Sequence, residues 1–203
     1  SSFELITPAG QSIIHFAFPG QHNVMNALAA TAMALAAGVA FDAIVTGLKN
    51  ARPVAGRQVM MQLDNDAILI DDSYNANPGS VVAAIDSLAT ACALDKKTAV
   101  LVLGDMAELG ESGEVLHTQV GMYAKSQGIK QIFACGDLSR ATCSGFGDGA
   151  QYFSARSDLI AALKQNISSD QRLLIKGSRS SQMDEVVKDL VATFSLKETQ
   201  NAS

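Results

Sequence analysis

The sequence predicts an α/β protein built on a doubly wound, mostly parallel sheet with flanking helices. Three observations carry this expectation. From Gln58 onward, short apolar runs alternate with longer amphipathic stretches, the pattern of strands joined by crossover helices. The runs are near-continuous, as in Ala67–Ile70 and Thr98–Leu103, which suits strands buried on both faces. Alanine and glycine are abundant, while aromatic residues make up only 5% of the 203 residues and Trp is absent, a composition for helices packed closely on a sheet.

The first 54 residues follow a different plan. Phe3–Ile6 and Ser12–Phe18 flank Thr7-Pro8-Ala9-Gly10-Gln11 and predict a β-hairpin with a longer turn. A helix opens at Gly20 and runs to about Ala37, where Gly38 ends it. Phe41–Leu48 predicts a second, shorter helix. Asn50–Gly56 holds Pro53 and Gly56 between a helical and a strand pattern, so it reads as a hinge. The chain starts without Met and within a pattern, which reads as a cut in a longer sequence.

Beyond the hinge, Gln58–Leu63 and Ala67–Ile70 flank Asp64-Asn65-Asp66, a hairpin signal. Pro78 suits a helix's first turn, where its missing N–H costs nothing, and the helix continues over Ser80–Cys92. Strands at Thr98–Leu103, Gln131–Cys135, Tyr152–Phe153 and Arg172–Ile175 follow. Helices at Val115–Gln127, Ser139–Ser144, Ser157–Ile167 and Gln182–Phe194 alternate with them. The polar Ser195–Ser203 is expected to fray.

Composition narrows the function classes. Net charge is −5 from 20 acids and 15 bases, with no Lys/Arg run, which argues against a nucleic-acid footprint. No apolar stretch reaches the roughly 20 residues that span a bilayer, so no membrane insertion is expected. The three cysteines, Cys92, Cys135 and Cys143, include no C-x-x-C pair, which argues against a disulfide framework or a zinc site. Reduced thiols in a cytoplasmic protein are the default. Cys143 as a nucleophile has no nearby His in sequence.

In an open α/β sheet, ligands bind at the carboxyl ends of the strands. The stretch Ala67–Ser80 reads A-I-L-I-D-D-S-Y-N-A-N-P-G-S and puts Asp71, Asp72, Tyr74, Asn75 and Asn77 at such an end. The same residue types also make an ordinary strand-to-helix turn. Asn23 and Asn26 stand three apart at the start of the first long helix, where two amides can read an adenine edge. Capping of that helix by Asn23 or His22 is the plainer use. Gly104–Gly110, G-D-M-A-E-L-G, places Asp105 and Glu108 after a strand. They suit a metal, an amine or a loop capping the next helix, and His117 on that helix receives no role. Lys176-Gly177-Ser178-Arg179 follows a late strand with two cations and a hydroxyl.

Taken in order, G-Q-H-N-x-x-N-A-L-A-A from Gly20, Arg57, D-D-S-Y-N-A-N-P-x-S from Asp71, G-D-M-x-E-L-G from Gly104 and K-G-S-R from Lys176 resemble the Mur ligases. The resemblance spans roughly Gly20 to Val187. Within the family it points to ligases that add D-alanyl-D-alanine to UDP-N-acetylmuramoyl-tripeptide in peptidoglycan synthesis. It implies that residues 1–54 are the C-terminal part of a central P-loop ATP-binding domain, incomplete here. Residues 55–203 would then be a Rossmann-like C-terminal domain.

The implied activity is ATP-dependent amide-bond formation. The tripeptide carboxylate is phosphorylated to an acyl phosphate, the dipeptide amine attacks, and phosphate leaves. Arg57 would be catalytic and touch a phosphate, Asn23 and Asn26 would hold adenine, and Asp72 would accept the ribose hydroxyls. Asn75, Asn77, Lys176, Ser178 and Arg179 would contact the incoming substrate. ATP and Mg²⁺ are the implied cofactors. No G-x-x-x-x-G-K-[ST] loop occurs, and the family keeps that loop and its main metal ligands further upstream, so this chain assigns no metal ligand and is expected to be inactive alone. Some relatives carry His before the Arg; here it is Gly56, so no role for that His carries over. A cytoplasmic monomer is expected. Two other readings stand beside this one: a folylpolyglutamate-synthase-like ligase, and a non-catalytic nucleotide-binding domain of Rossmann type. The Y-N-A-N-P and G-D-M-A-E-L-G forms favour the D-alanyl-D-alanine enzyme.

Overall fold

The computed structural model describes residues 1–196 apart from Pro19 and Pro53, and only the backbone of His22. The tail 197–203, expected to fray, and Pro53 of the expected hinge lie outside the described residues. The chain forms two compact units, Ser1–Val54 and Ala55–Ser203.

In the first unit, β1 (Ser2–Thr7) and β2 (Gly10–His15) form an antiparallel hairpin, paired from Ser2↔His15 to Thr7↔Gly10. The turn is tighter than the sequence predicts. Thr7 Oγ1 accepts from Ala9 N at 3.2 Å and donates to Gly10 O at 3.0 Å, so only Pro8 and Ala9 lie between the strands. The helices are α1 (Gln21–Ala36) and α2 (Phe41–Asn50). Leu5, Ile14, Phe16 and Ala27 form a small core with Phe3, Phe18, Phe41, Val45 and Leu48 around it.

The second unit holds a six-stranded sheet. Its strands are β3 (Val59–Gln62), β4 (Ile68–Asp72), β5 (Thr98–Gly104), β6 (Gln131–Cys135), β7 (Ala150–Phe153) and β8 (Gln171–Lys176). They lie in the order β3-β4-β8-β5-β6-β7, with β3 antiparallel to β4 and all other pairs parallel. The joining helices are α3 (Pro78–Asp95), α4 (Gly113–Ser126), α5 (Ser139–Phe146) and α6 (Arg156–Asn166), and α7 (Met183–Phe194) follows β8.

Side chains alternate across a strand, so each strand feeds two cores. Leu101, Leu103, Ile132, Ala134 and Leu174 pack with Val81, Ile85 and Leu88 of α3, Val120 of α4 and Phe146 of α5. Val100, Val102, Phe133, Leu173 and Ile175 pack with Leu159 and Leu163 of α6 and Val186 and Leu190 of α7. The split follows from handedness. From β4 to β7 the chain moves one way across the sheet, and from β7 to β8 it returns, so right-handed crossovers put the return helix on the opposite face.

Contacts with partners distant in sequence move several element boundaries from those the sequence predicts. Strand β4 runs through both carboxylates, because Asp71 and Asp72 pair in register with Ile175 and Lys176 of β8. Helix α3 starts at Pro78, as its place in the first turn predicts, and runs on to Asp95; Asn77 caps it, its Oδ1 accepting from Ser80 N at 2.8 Å while Ser80 Oγ accepts from Asn77 N at 3.0 Å. After α7, Leu196 bridges to Leu63 and Asp64 N donates to Phe194 O at 3.2 Å, so the beginning of the expected tail is held.

Candidate functional site

The reversal of strand order sets the carboxyl ends of β4, β8 and β5 side by side. In a doubly wound sheet this is where a ligand crevice forms. At its centre Lys176 Nζ donates to Asp72 Oδ2 at 2.6 Å and to Asn75 O at 2.9 Å. Lys176 is 3% and Asp72 8% exposed. Burial pushes the Asp72 carboxyl above the usual carboxylate range, opposed by the Lys176 ammonium and by a hydrogen bond from the Gln58 backbone.

Asp71, on the opposite side of the strand, holds the entry to the unit. Its Oδ2 accepts from Gly56 N at 3.1 Å, and its Oδ1 accepts from Ser73 N at 3.1 Å and Ser73 Oγ at 2.5 Å. Tyr74 N donates back to Gly56 O at 2.9 Å. Gly56 has φ +75°, and a Cβ there would lie 2.9 Å from Tyr74 N. This clasp sets Arg57, whose exposed guanidinium lies 4.3 Å from the Tyr74 ring centroid.

The Gly104–Gly110 loop adopts a structural role at Asp105. Its carboxylate accepts from Leu138 N at 3.3 Å, Ser139 N at 2.8 Å and Ser139 Oγ at 2.6 Å. It therefore holds the start of α5, not of the next helix α4. Met106 N donates to His117 Nε2 at 3.1 Å, which leaves the Nδ1 proton to face Thr142 Oγ1 at 2.9 Å. His117 is fully buried, and burial holds its pKa below the ordinary imidazole range, partly opposed by the Asp105 charge.

The cysteines are free thiols, and burial raises the pKa of each, to about 11 at Cys92 and Cys143. A reactive thiolate is disfavoured at every one.

In the first unit, Gly20 is the N-cap of α1. Asn23 is half-buried and Asn26 exposed. Among the described residues, no group of three or more His, Cys, Asp or Glu is placed to hold a metal ion. Asp71, Asp72 and Asp105 already have protein donors, so these residues offer no Mg²⁺ cage. No helix among the described residues is long and apolar enough to cross a membrane.

Residues 56–179 match the family model described as Mur ligase, glutamate ligase domain. The chain belongs to the Mur ligases. It is 43% identical over 192 residues to the UDP-N-acetylmuramoyl-tripeptide–D-alanyl-D-alanine ligase of Escherichia coli (strain K12), covering 94% of this chain and 41% of the relative. To the ligase of the same name from Bacillus subtilis (strain 168) it is 34% identical over 177 residues, 85% of this chain and 38% of the relative. A crystal structure of MurF from Acinetobacter baumannii superposes with a TM-score of 0.82 at 34% identity, over 94% of this chain and 42% of that one. MurF from Thermotoga maritima in complex with ADP shares the fold, with a TM-score of 0.74 at 16% identity over 91% of this chain and 41% of that one. The chain thus spans about two fifths of the curated relatives it matches.

Of the expected site residues, Arg57, Asp72, Asn75, Asn77, Lys176, Ser178 and Arg179 all lie at the carboxyl edge of one sheet. Asp72 and Lys176 bind each other, the Asn77 amide oxygen caps α3, and Ser178 is buried with its Oγ 3.1 Å from Ser180 Oγ. Arg57, Asn75, Asn77 and Arg179 are exposed. Asn23 and Asn26 belong to the other unit. The roles of Asp71, Gly56, Asp105 and His117 had only a faint signal in the sequence: a Gly before the Arg, and acids at strand ends.

Two predictions follow from this geometry. Gly56→Ala forces a side chain into a left-handed backbone against Tyr74 N, at a cost of roughly 1–3 kcal/mol. Urea denaturation measures it, and an unchanged midpoint contradicts the clasp. His117 is held neutral in the folded protein and charges more readily when unfolded, so its contribution to stability is intact above about pH 6.5 and falls away as pH drops below that. The difference in unfolding free energy between wild type and His117→Gln should therefore shrink from pH 7.5 to 5.5; a constant difference contradicts it.

Proposed function

We propose that this chain is the carboxyl-terminal portion of a cytoplasmic, ATP-dependent amide-bond ligase that joins D-alanyl-D-alanine to UDP-N-acetylmuramoyl-tripeptide. The observation that carries the reading is the 43% identity with the Escherichia coli ligase of that name over nearly the whole chain. Residues 1–54 then belong to an ATP-binding domain and residues 55–203 are the substrate-presenting domain. The character of α1 supports this. It carries no charged residue, and Met25, Leu28 and Met33 stand exposed, with Met33 at 69%. On the hairpin Ile6 and Ile13 are exposed as well. A helix that leaves this many apolar side chains exposed is one that a larger domain buries.

The residues divide the work by charge and reach. Asn23 and Asn26 offer amides that donate and accept, as an adenine edge requires. Arg57 offers a permanently charged fork for a phosphate oxygen, steadied by the Tyr74 ring. Asp72 is held as an acceptor at the same edge, its charge balanced by Lys176. Arg179, exposed beside this edge, offers a fork for the dipeptide's free carboxylate, with Asn75, Asn77 and Ser178 on the flanking loops. When bound, ATP supplies the phosphoryl group that activates the tripeptide carboxylate. These residues orient both substrates and shed water from the reacting carboxylate. Mg²⁺ is assigned to ligands outside this chain.

Substrate saturation of the full-length ligase tests the division. Asn26→Ala should raise the KM for ATP and Arg179→Ala the KM for the dipeptide, each by roughly ten- to a hundredfold, the worth of one hydrogen bond in a desolvated site. Each variant should leave the other substrate's constant in place. Curves that superimpose on wild type overturn the assignment.

A further inference from the structure

We propose that His117 is a positioning residue for the substrate loop Lys176–Arg179, acting through the backbone of Asp105 and Met106. The inference rests on the reading of that loop as the dipeptide contact. His117 itself is fully buried and reaches no ligand surface.

The segment Gly104–Met106, at the carboxyl end of β5, is the meeting point. Asp105 O accepts from Ser178 N at 2.9 Å, so the substrate loop hangs on this segment by its own backbone. Ser181 Oγ donates to Ser178 O at 2.7 Å, which fixes the same residue through its next peptide group. The strand ends are in close contact: a Cβ on Gly104 or Gly177 would strike Ser181 Oγ and Met183 Cγ. Any shift of residues 104–106 is therefore passed to Ser178 and so to the departure point of Arg179.

What holds the segment is α5, at two adjacent residues. Ser139 grips the Asp105 carboxylate with its N–H and its hydroxyl. Thr142, one turn further on, meets His117 Nδ1, and His117 Nε2 accepts from Met106 N. Only a two-ended group in this place links Met106 to α5. Ser139, Thr142, His117 and Met106 are all buried, so water does not substitute for a lost partner. The frame around the imidazole is stiff. A Cβ on Gly121 of α4 would strike Thr142 O, and one on Gly145 of α5 would strike Thr118 O, so the two helices are in backbone contact at two places. Asp105 of the G-D-M-A-E-L-G motif thereby acquires a positional reading: with His117 it sets where the neighbouring strand's loop begins.

The test compares His117→Phe, His117→Gln and Thr142→Val in the full-length ligase, with Arg179→Ala as reference. His117→Phe removes the acceptor of Met106 N and should raise the dipeptide KM by roughly tenfold, one hydrogen bond's worth, with the ATP KM unchanged. His117→Gln, which returns an acceptor near the Nε2 position, should recover most of that. Thr142→Val, a milder change should His117→Phe not fold, should shift the dipeptide KM in the same direction. Loss of folded enzyme alone lowers kcat and leaves both KM values in place, so a shift confined to the dipeptide marks positioning. Hydrogen exchange over residues 171–183 gives a readout independent of activity: the Ser178 amide should exchange faster in His117→Phe than in wild type. If Arg179→Ala shifts the dipeptide KM while the variants at 117 and 142 shift neither KM nor exchange, the proposal is overturned. If Arg179→Ala is itself silent, the loop reading falls, and exchange at Ser178 alone decides for or against the His117 linkage.

Discussion

The buried ion pair between Asp72 and Lys176 is the constraint on which the carboxyl edge depends. The two residues are 104 positions apart in sequence and face each other across the β4–β8 ladder. Strand β8 is the last strand in sequence and lies between β4 and β5. A slip of one residue would turn Lys176 to the other face and leave two buried charges without partners. A pair of this kind adds little net stability over an apolar pair of the same volume, because both charges are desolvated. Its value here lies in register: one alignment of β8 satisfies it.

Other contacts of the edge extend from that register. Lys176 also holds Asn75 O, which places the loop leading to the Asn77 cap of α3. Ser178, two residues beyond Lys176, reaches Asp105 just after β5, and Asp105 reaches Ser139 on α5. Asp71, next to Asp72, clasps Gly56 and thereby sets Arg57. Four strand ends are joined into one hydrogen-bonded rim. Arg57, Asn75, Asn77 and Arg179 are exposed on this rim, while Asp71, Asp72, Lys176 and Ser178 are buried within it.

Much of the second unit was legible in the sequence because each element carries its own local signal. The buried strands are short apolar runs, the helices are periodic, and Pro78 marks a helix start. What local pattern hides is any role set by a distant partner. Asp71 and Asp72 read as loop acids after a strand, yet they lie in the strand because β8 pairs with them. Asp105 reads as a cap for the helix that follows it, yet it caps α5, brought near by the parallel pairing of β5 with β6. His117 reads as a polar residue on an amphipathic face, and only the packing of α5 over it shows a fully enclosed ring. Leu196 was assigned to a frayed tail because its partner, Leu63, is far away in sequence. Asn23 and Asn26 were visible as a motif, and the structure places both on α1 of the first unit.

A double-mutant cycle on Asp72→Leu and Lys176→Met, measured by denaturant unfolding, tests the register constraint most directly. Each single change strands a buried charge and should cost roughly 3–5 kcal/mol. The double variant should recover most of that loss, giving a coupling energy of at least about 2 kcal/mol. Additive losses, with the double variant as unstable as the sum of the two, would contradict the account.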